Sequence, residues 1–448
     1  MTEDRHTATA QRGAGAQGAG TQHLDVLDRV LQVARSDNYQ GYSKHDGLNS
    51  PLLARVGGGS RLRRLGAIQV VTRSPVDIRP LVGVRKARNA KGLSLFARAL
   101  LARHRITGSA DDASEARELL DWLIEHPAPD FEWLCWGYPY PWQDVGFFAP
   151  RDFPNRVVTS FVGQALLDGY ETLRDGRYLD AARQAVRFLL EAPRTLYEDD
   201  ERRCVSYVPD RSIDWIVMDV SALAGALAAR LGALTDEKEL AREGGRLVRY
   251  VVSKQTDYGA WFYADPPSAS HITHDNYHTG FILDAILQYG LVTASDEFES
   301  AYRRGIEFYE RRLFEPDGAA RFMSDRRYPV DIHGCAQGII TFSLQQRHRG
   351  AGSETATQVL RWTLGHMWDP RSGWFYYQRR RGYRTRIREL RWCQGWMSWA
   401  LASYLENCGM GEPRGAAAPG LSSEERATSD EGRRRLKGAP RRARSTAS

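Results

Sequence analysis

Two short stretches place a histidine beside an acid at the start of a long apolar run. In the first, HDNYH (274–278), Asp275 and His278 precede an apolar run; in the second, DIHGCAQG, Asp331 lies two residues before His333. A carboxylate next to an imidazole can orient the ring and fix its tautomer, which suits general acid–base catalysis. The simpler interpretation is that each Asp caps a helix by accepting hydrogen bonds from its first free N–H groups. The two interpretations are compatible.

The helices that carry these stretches belong to a repeat. Long apolar helical runs begin near residues 92, 156, 214, 275, 331 and 391. They recur about every 60 residues and are apolar around most of their circumference, as buried helices are. Charged, amphipathic segments alternate with them near 113–126, 177–191, 236–253, 296–313 and 353–367, and 23–36 can supply a sixth. We therefore predict an all-α fold of six helical hairpins closed into a ring, an (α/α)6 toroid.

An open solenoid is the alternative arrangement of such hairpins. Its terminal units should carry a polar outer face, and residues 391–406 do not. We expect one toroid domain over residues 23–408, between a disordered, Gly- and Ala-rich segment (1–22) and a disordered basic tail (409–448). The tail holds nine Lys/Arg and five Asp/Glu, so it carries more than half of the net charge of +7. The folded part is nearly neutral, which argues against a nucleic-acid partner.

Composition also bears on the compartment. Residues 1–22 lack the apolar core of a signal peptide, and no run approaches the roughly 18 apolar residues of a membrane span. Five scattered cysteines do not indicate a disulfide framework. We expect a cytoplasmic protein without a membrane span; the sequence leaves its oligomeric state open.

Aromatic segments precede several apolar runs. GAWFYADPP (259–267) and GWFYYQRRRGY (373–383) predict short β-hairpins around one mouth of the ring, where such a fold forms its cleft. Convergent helix N-termini there favour an anionic or hydroxyl-rich ligand. Aromatic side chains often stack on sugar rings, and the candidates for that role are Tyr42, Trp142, Trp261 and Trp392.

Two polar segments lie ahead of the first apolar run. The stretch 37–53 is too polar and aromatic for a plain linker, and it offers Asp46 and Asn49. The basic run 85–92 contains Lys86 and Asn89 and is either a solvated connection or a contact for a carboxylate or phosphate.

A zinc site is a further alternative, because Cys335 and Cys393 could join the histidines. The motifs IHGC and RWCQGW are faintly similar to those of lanthionine cyclases, which combine an α-toroid with a Cys/Cys/His zinc site. The order here is His-Gly-Cys, whereas that family has Cys-His-Gly, and its other glycine signatures are missing. We therefore expect no metal and no cofactor.

Six motifs together resemble the VpsJ-like proteins of polysaccharide biosynthesis, with relatives in archaeal N-glycosylation (AglQ-like proteins). They are GYSKHDGLNSP, RKARNAKG, WGYPYPWQ, HDNYHTGFIL, DIHGCAQGIITF and RWCQGWMSWAL, and the resemblance runs from about Asp37 to Glu406. It implies a six-hairpin, glycosidase-like toroid and a role in making or remodelling a glycan. The chemistry of that family is poorly defined, so no catalytic residue is transferred.

The expected substrate is a sugar or a uronate-bearing glycan. Glycosidic cleavage needs two carboxylates, with Asp46, Asp214, Asp219 and Asp275 as candidates. Epimerisation or elimination needs a base and an acid on opposite faces of the ring, for which Tyr277, His278 and His333 are better suited. The further substrate contacts that we predict are Asn49, Lys86, Asn89, Asp219, Asp331 and Gln394, beside the four aromatic residues named above.

A non-catalytic glycan-binding subunit would use the same cleft for recognition alone. A terpene cyclase of this architecture would carry an acid-rich DxDD-like run, and the sequence has none.

Overall fold

The computed structural model describes residues 3–144, 146–192 and 194–409. In these residues the α-helices are α1 (Glu3–Ser36), α2 (Pro51–Gly57), α3 (Arg61–Arg73), α4 (Ala90–Thr107), α5 (Ala110–Glu125), α6 (Arg156–Leu173), α7 (Gly176–Glu191), α8 (Met218–Thr235), α9 (Lys238–Val252), α10 (Asn276–Thr293), α11 (Glu299–Leu313), α12 (Ile332–Arg349), α13 (Ser353–Met367) and α14 (Trp396–Tyr404). A π-helical turn, Leu390–Gly395, leads directly into α14.

The even-numbered helices from α4 to α14 form an inner ring. Each packs on the next, and α14 packs on α4, so the ring closes. The helices α5, α7, α9, α11 and α13 each pack outside the inner helix that precedes them, and α1 packs against α14. The predicted (α/α)6 toroid is confirmed, and the segment 23–36 lies within the outer helix that completes it.

Helix α8 shows why the inner runs are so apolar. By length and composition it could cross a membrane, but 72% of that span is buried inside the protein, where it forms part of the inner ring. Small residues allow the outer helix α9 to approach it: a Cβ at Gly225 would lie 2.6 Å from the carbonyl oxygen of Gly244. The apolar character of α8 therefore follows from its packing on several sides.

The N-terminal boundary differs from the prediction. Helix α1 starts at Glu3, whereas we predicted a disordered segment over residues 1–22. The amphipathic part of this helix is anchored on α14, and the Gly- and Ala-rich sequence before it extends a helix that already exists, which avoids the costly nucleation step. The predicted disordered tail falls, from residue 410 onward, outside the described residues.

Short strands connect neighbouring repeats near the starts of the inner helices. They are β1 (Gln40–Gly41), β2 (Ala87–Arg88), β3 (Trp142–Gln143), β4 (Phe148–Ala149), β5 (Thr195–Glu198), β6 (Arg203–Val205), β7 (Ile216–Val217), β8 (Ala264–Asp265), β9 (Val330–Asp331), β10 (Trp368–Asp369), β11 (Trp374–Phe375), β12 (Gln378–Arg379) and β13 (Arg384–Thr385). All pairings are antiparallel: β1–β2, β3–β4, β5–β6, β7–β8, β10–β11 and β13–β12–β9. The β7–β8 pair joins the segments that enter α8 and α10, so it fixes these two helix starts relative to each other.

The segment between β1 and β2, which contains α2 and α3, covers the mouth of the ring. Its small apolar cluster contains Leu48 and Ile68, against which Trp142 packs. A buried ion network fastens the segment to the last repeat: Arg79 contacts Asp46 at 2.8 Å and Glu389 at 2.7 Å. Because Glu389 directly precedes the π-helical turn, this network joins the cover to the last inner helix.

Candidate active site

A cavity of about 330 Å³ lies beneath the covering segment, at the N-terminal ends of the inner helices. Seven predicted site residues line it: Trp142, Asp219, Asp275, Tyr277, His278, His333 and Trp392. Phe281, one turn into α10, lies at its inner end and also faces a second cavity on the opposite side of the ring.

A carboxylate–imidazole pair forms one wall of the cavity. Asp275 occupies the N-cap position of α10, but its side chain caps no backbone N–H. Its two oxygens instead lie 2.8 and 3.0 Å from Nδ1 of His278. With Nδ1 bound to the carboxylate, Nε2 is the ring nitrogen left for chemistry. The prediction that Asp275 caps the helix is therefore wrong; the residue orients His278.

The charges around His278 favour its protonated form. Burial alone would lower the pKa of His278, but the carboxylates of Asp275 and Asp219 outweigh burial, and its pKa is raised. Asp219 lies in the first turn of α8 and is 2% exposed, and its Oδ1 has no hydrogen-bond partner among the described residues. Burial raises the pKa of Asp219, although His278 and Lys91 act in the opposite direction.

The second histidine sits between aromatic rings. His333 stacks on Tyr277 at 4.3 Å and on Trp396 at 4.1 Å between ring centroids. Neither of its ring nitrogens has a hydrogen-bond partner in the described part of the chain. Burial lowers the pKa of His333 well below its usual value, and the nearby Lys91 and Arg391 lower it further. His333 is therefore a neutral imidazole at physiological pH.

Asp331 does not pair with the ring of His333. It caps α12 by accepting the backbone N–H of His333 at 3.0 Å. Its oxygens also accept hydrogen bonds from Trp392 Nε1 at 2.7 Å and from Gln378 Nε2 at 2.9 Å. Asp331 thus fixes the indole that lines the cavity, and in this helix start the cap interpretation is the correct one.

Three cationic residues of the cavity were not among the predicted site residues: Lys44, Lys91 and Arg391. Lys91 follows the N-cap Asn89 and points inward from the first turn of α4, so the basic run 85–92 does contribute one charge to the site. A tight turn presents Lys44: Ser43 N donates to Asp46 at 2.9 Å, and His45 has a φ of 73°. His45 thus adopts the left-handed backbone conformation, which histidine tolerates better than most residues and which turns the chain sharply after Lys44.

The structure places two predicted catalytic acids outside the cavity. Asp46 forms an ion pair with Arg79 in the buried network. The carboxylate of Asp214 is 77% exposed and contacts Arg194. Helix α8 begins at Met218 because residues 216–217 pair as a strand, which leaves Asp214 before that strand and brings Asp219 into the cavity.

Six predicted substrate contacts have structural roles instead. Trp261 donates to Val251 O at 2.9 Å, and Gln394 binds the backbone of Gly373 and Phe375 at 2.7 and 3.0 Å. Asn89 caps α4, and Lys86 forms an exposed ion pair with Asp37 at 2.9 Å. The remaining two belong to the covering segment itself, where the ring of Tyr42 faces Arg79 and the side chain of Asn49 contacts Arg85 and Arg151.

The described residues contain no group of three or more His, Cys, Asp or Glu side chains arranged to hold a metal ion. Cys335 and Cys393 are both buried, and burial raises the pKa of the Cys335 thiol to about 12. A thiol held in its protonated form is a poor ligand, since metals bind the thiolate.

No protein-family model matches the chain. No curated protein sequence matches it either.

Solved structures do match its fold. A cellobiose 2-epimerase from Bacillus thermoamylovorans B4167 superposes with a TM-score of 0.58 at 13% identity, covering 72% of this chain and 90% of the epimerase. A GH76 alpha-mannanase from Bacteroides thetaiotaomicron gives a TM-score of 0.55 at 12% identity, covering 71% of this chain and 86% of the mannanase. An unsaturated glucuronyl hydrolase specific for heparin gives 0.55 at 10% identity, covering 86% and 96%. The chain shares the six-hairpin toroid fold of these enzymes.

Proposed function

We propose that this protein is a carbohydrate-active enzyme that moves a proton at a sugar carbon, as an epimerase, isomerase or lyase does. The observation that carries the proposal is the Asp275–His278 pair, held inside a cavity lined with aromatic residues. Enzymes of the same fold include a cellobiose 2-epimerase and a D-mannose isomerase, which supports chemistry of this class.

His278 acts as the base in its unprotonated form, which forms at pH values above its raised pKa. Its Nε2 takes a proton from a carbon next to a carbonyl or carboxyl group, and the electron pair of the broken C–H bond moves into that group as an enolate. Asp275 stabilises the imidazolium that forms, because its carboxylate already accepts the Nδ1 hydrogen bond.

His333 is the second proton-transfer group. Its environment lowers its pKa whereas that of His278 is raised, and a pair of groups with separated pKa values is typical of acid–base sites. An epimerase returns a proton to the opposite face of the carbon. In our proposal the neutral His333 does this by donating its ring N–H proton while its other ring nitrogen accepts a proton from solvent. A lyase expels a leaving group instead. Trp142 and Trp392 provide stacking surfaces for the sugar ring.

Glycosidic cleavage is a second candidate, and one observation favours it. Asp219 is a buried carboxyl group with a raised pKa and an unpartnered oxygen in the cavity, as a general acid would be. Its counterpart would be the carboxylate of Asp275, which His278 already engages.

Deuterium exchange separates the two reactions. We expect incubation with a panel of mono- and disaccharides in D2O to introduce deuterium at one sugar carbon, as measured by proton NMR. The exchange should be lost in His278→Ala and reduced in His333→Ala, while both variants stay folded by circular dichroism. Release of reducing ends without exchange, abolished by Asp219→Asn, would establish hydrolysis instead. Binding without either reaction would identify a glycan-binding subunit.

The cellular role that we propose is polysaccharide biosynthesis or remodelling in the cytoplasm, supported by the resemblance to VpsJ-like proteins. Deletion of the gene should change the composition of a cell-surface or secreted glycan. An unchanged glycan would contradict this role but not the chemistry.

A further inference from the structure

Three cationic side chains converge on the cavity. Lys91 and Arg391 are 3% and 4% exposed, and Lys44 is half-buried at the rim. They come from three separate segments: the turn after β1, the first turn of α4 and the π-helical turn before α14. Closure of the ring brings Lys91 and Arg391 together, and the covering segment adds Lys44.

The acids whose charges act on these cations are not in contact with them. Asp219, Asp275, Asp331 and Glu389 all lie more than 4.0 Å, oxygen to nitrogen, from the side chains of Lys44, Lys91 and Arg391. This contrasts with Arg79 in the covering segment, which contacts Asp46, Asp77 and Glu389.

Aromatic rings surround the three charges instead. Lys44 Nζ lies 3.9 Å from the centroid of the Trp392 ring, and Lys91 Nζ lies 4.0 Å from that of Phe161. The guanidinium of Arg391 lies 5.2 Å from both Tyr138 and Trp392, and its Nε has no hydrogen-bond partner in the described part of the chain. Rings offset only part of what a buried cation loses in leaving water.

The cations also repel one another. Burial lowers the pKa of Lys91, and Arg391 lowers it further. The pKa of Lys44 is lowered by burial too; Asp331 and Glu389 partly oppose this, while Arg391 adds to it. Like charges held together without an acid in contact are costly, and an anion that enters the cavity relieves that repulsion.

We infer that the substrate carries an anionic group, a carboxylate or a phosphate, which Lys44 and Arg391 bind beside Trp392 while the sugar ring faces His278. This inference rests on the proposed function for the identity of the reacting site, and it adds the substrate class: an acidic sugar rather than a neutral one. Lys91, whose charge acts on Asp219, supplies further positive potential.

Such a site also assists the chemistry. Removing a proton from a carbon next to a carboxylate places a second negative charge on the same group. Cations already bound to that carboxylate stabilise this charge most as it develops. If the group is a phosphate, the cations position the sugar without acting on the reacting carbon.

Equilibrium binding to the His278→Ala variant tests the inference without requiring turnover. Titration calorimetry would compare glucuronate, galacturonate and mannuronate with their neutral parent sugars, their uronamides and their 6-phosphates. We expect at least one acidic sugar to bind ten-fold or more tightly than its parent and its amide. A preference for uronates identifies the carboxylate as the group bound, and a preference for 6-phosphates identifies the phosphate.

Removing the charge of each cation tests whether Lys44 and Arg391 bind the anionic group. Arg391→Met and Lys44→Met should each reduce the preference for the acidic sugar ten-fold or more, and Arg391→Lys should restore part of it. Lys86→Met is the matched control, because Lys86 is exposed and paired with Asp37 outside the cavity, and it should leave the preference intact.

Two results overturn the inference: no acidic sugar binds better than its neutral parent at millimolar concentration, or the preference survives in the Lys44→Met/Arg391→Met double variant. These two results differ from the result that would contradict the proposed function. If only the proposed function is wrong, the wild-type protein binds an acidic sugar but exchanges no deuterium into it.

Discussion

His278 Nδ1 lies 2.8 Å from the carboxylate of Asp275, three residues earlier, although Asp275 occupies a position where an Asp ordinarily caps the helix. The carboxylate thus leaves the first N–H groups of α10 without a side-chain cap and orients an imidazole instead. An N-cap side chain ordinarily stabilises a helix by about 1 kcal/mol, and Asp275 does not contribute this. We therefore assign Asp275 another role, which is to hold the base His278 toward the cavity.

Replacing Asp275 tests this role. Asp275→Asn should lower the pKa of His278, because the carboxylate that raises it is gone. If His278 acts as an unprotonated base, kcat/KM rises with pH through its pKa, so this acidic limb should move to lower pH. Maximal turnover should fall by about 10²- to 10⁴-fold, as for loss of general-base catalysis. The measurements are the pH–rate profile and the NMR titration of His278; an unmoved limb would contradict the pairing.

His333 should make the protein sensitive to acid. Its pKa is lowered in the folded state, so below its unfolded pKa, about 6.5, the unfolded chain binds a proton that the folded chain does not. Stability should therefore fall as pH decreases from about 6.5, by up to about 1.4 kcal/mol per pH unit for one proton. Urea unfolding of wild type and His333→Phe from pH 7.5 to 5 checks this; equal slopes would show that His333 is protonated in the fold.

The covering segment should depend on Arg79. Arg79→Met leaves Asp46 and Glu389 buried without their cation, which we expect to cost about 3–5 kcal/mol of unfolding free energy. Asp46→Asn should lower stability while turnover per folded molecule remains close to wild type. Asp214→Asn, at an exposed site, is the control and should change stability by less than about 0.5 kcal/mol. If Asp46→Asn lost turnover without losing stability, Asp46 would be a catalytic residue, as the sequence predicted.

Lys91 should lower the stability of the protein while it contributes to binding of the acidic sugar. Its pKa is lowered in the folded state, so its charge opposes folding at every pH below its unfolded pKa of about 10.4. Lys91→Met, which keeps the bulk of the side chain, should therefore stabilise the protein by about 1–3 kcal/mol at neutral pH. The same variant should bind the acidic sugar less well. A destabilised Lys91→Met would mean that the ammonium group is satisfied within the fold.

The basic tail should be dispensable for folding. Its sequence after Met410 has few large apolar residues, so it cannot bury enough surface to offset the entropy of ordering. A chain that ends at Met410 should melt within a few degrees of the full protein by differential scanning calorimetry. Loss of helical signal on truncation would show that the tail packs on the toroid.

The ring of helices could be predicted from the sequence because each helix is marked by a pattern within its own residues. Apolar periodicity marks a helix buried on several sides, and its recurrence about every 60 residues marks a stack of equivalent hairpins. HDNYH and DIHG were found as candidates for the same reason: they directly precede such runs. The segment 23–36 could be assigned as the missing outer helix since only one inner run lacked a partner.

The direction in which an individual side chain points depends on residues that are distant in sequence, so only the tertiary structure decided it. Asp214 and Asp219 are five residues apart, and the pairing of β7 with β8 determines which of them enters the cavity. Asp275 and Asp331 both precede a helix, but one binds an imidazole and the other a backbone N–H and an indole. Lys91 and Arg391 are far apart in sequence and meet because α14 packs on α4, and the covering segment adds Lys44 to the same cavity. The sequence determined which helices form the ring, whereas closure of the ring determined which charges meet inside it.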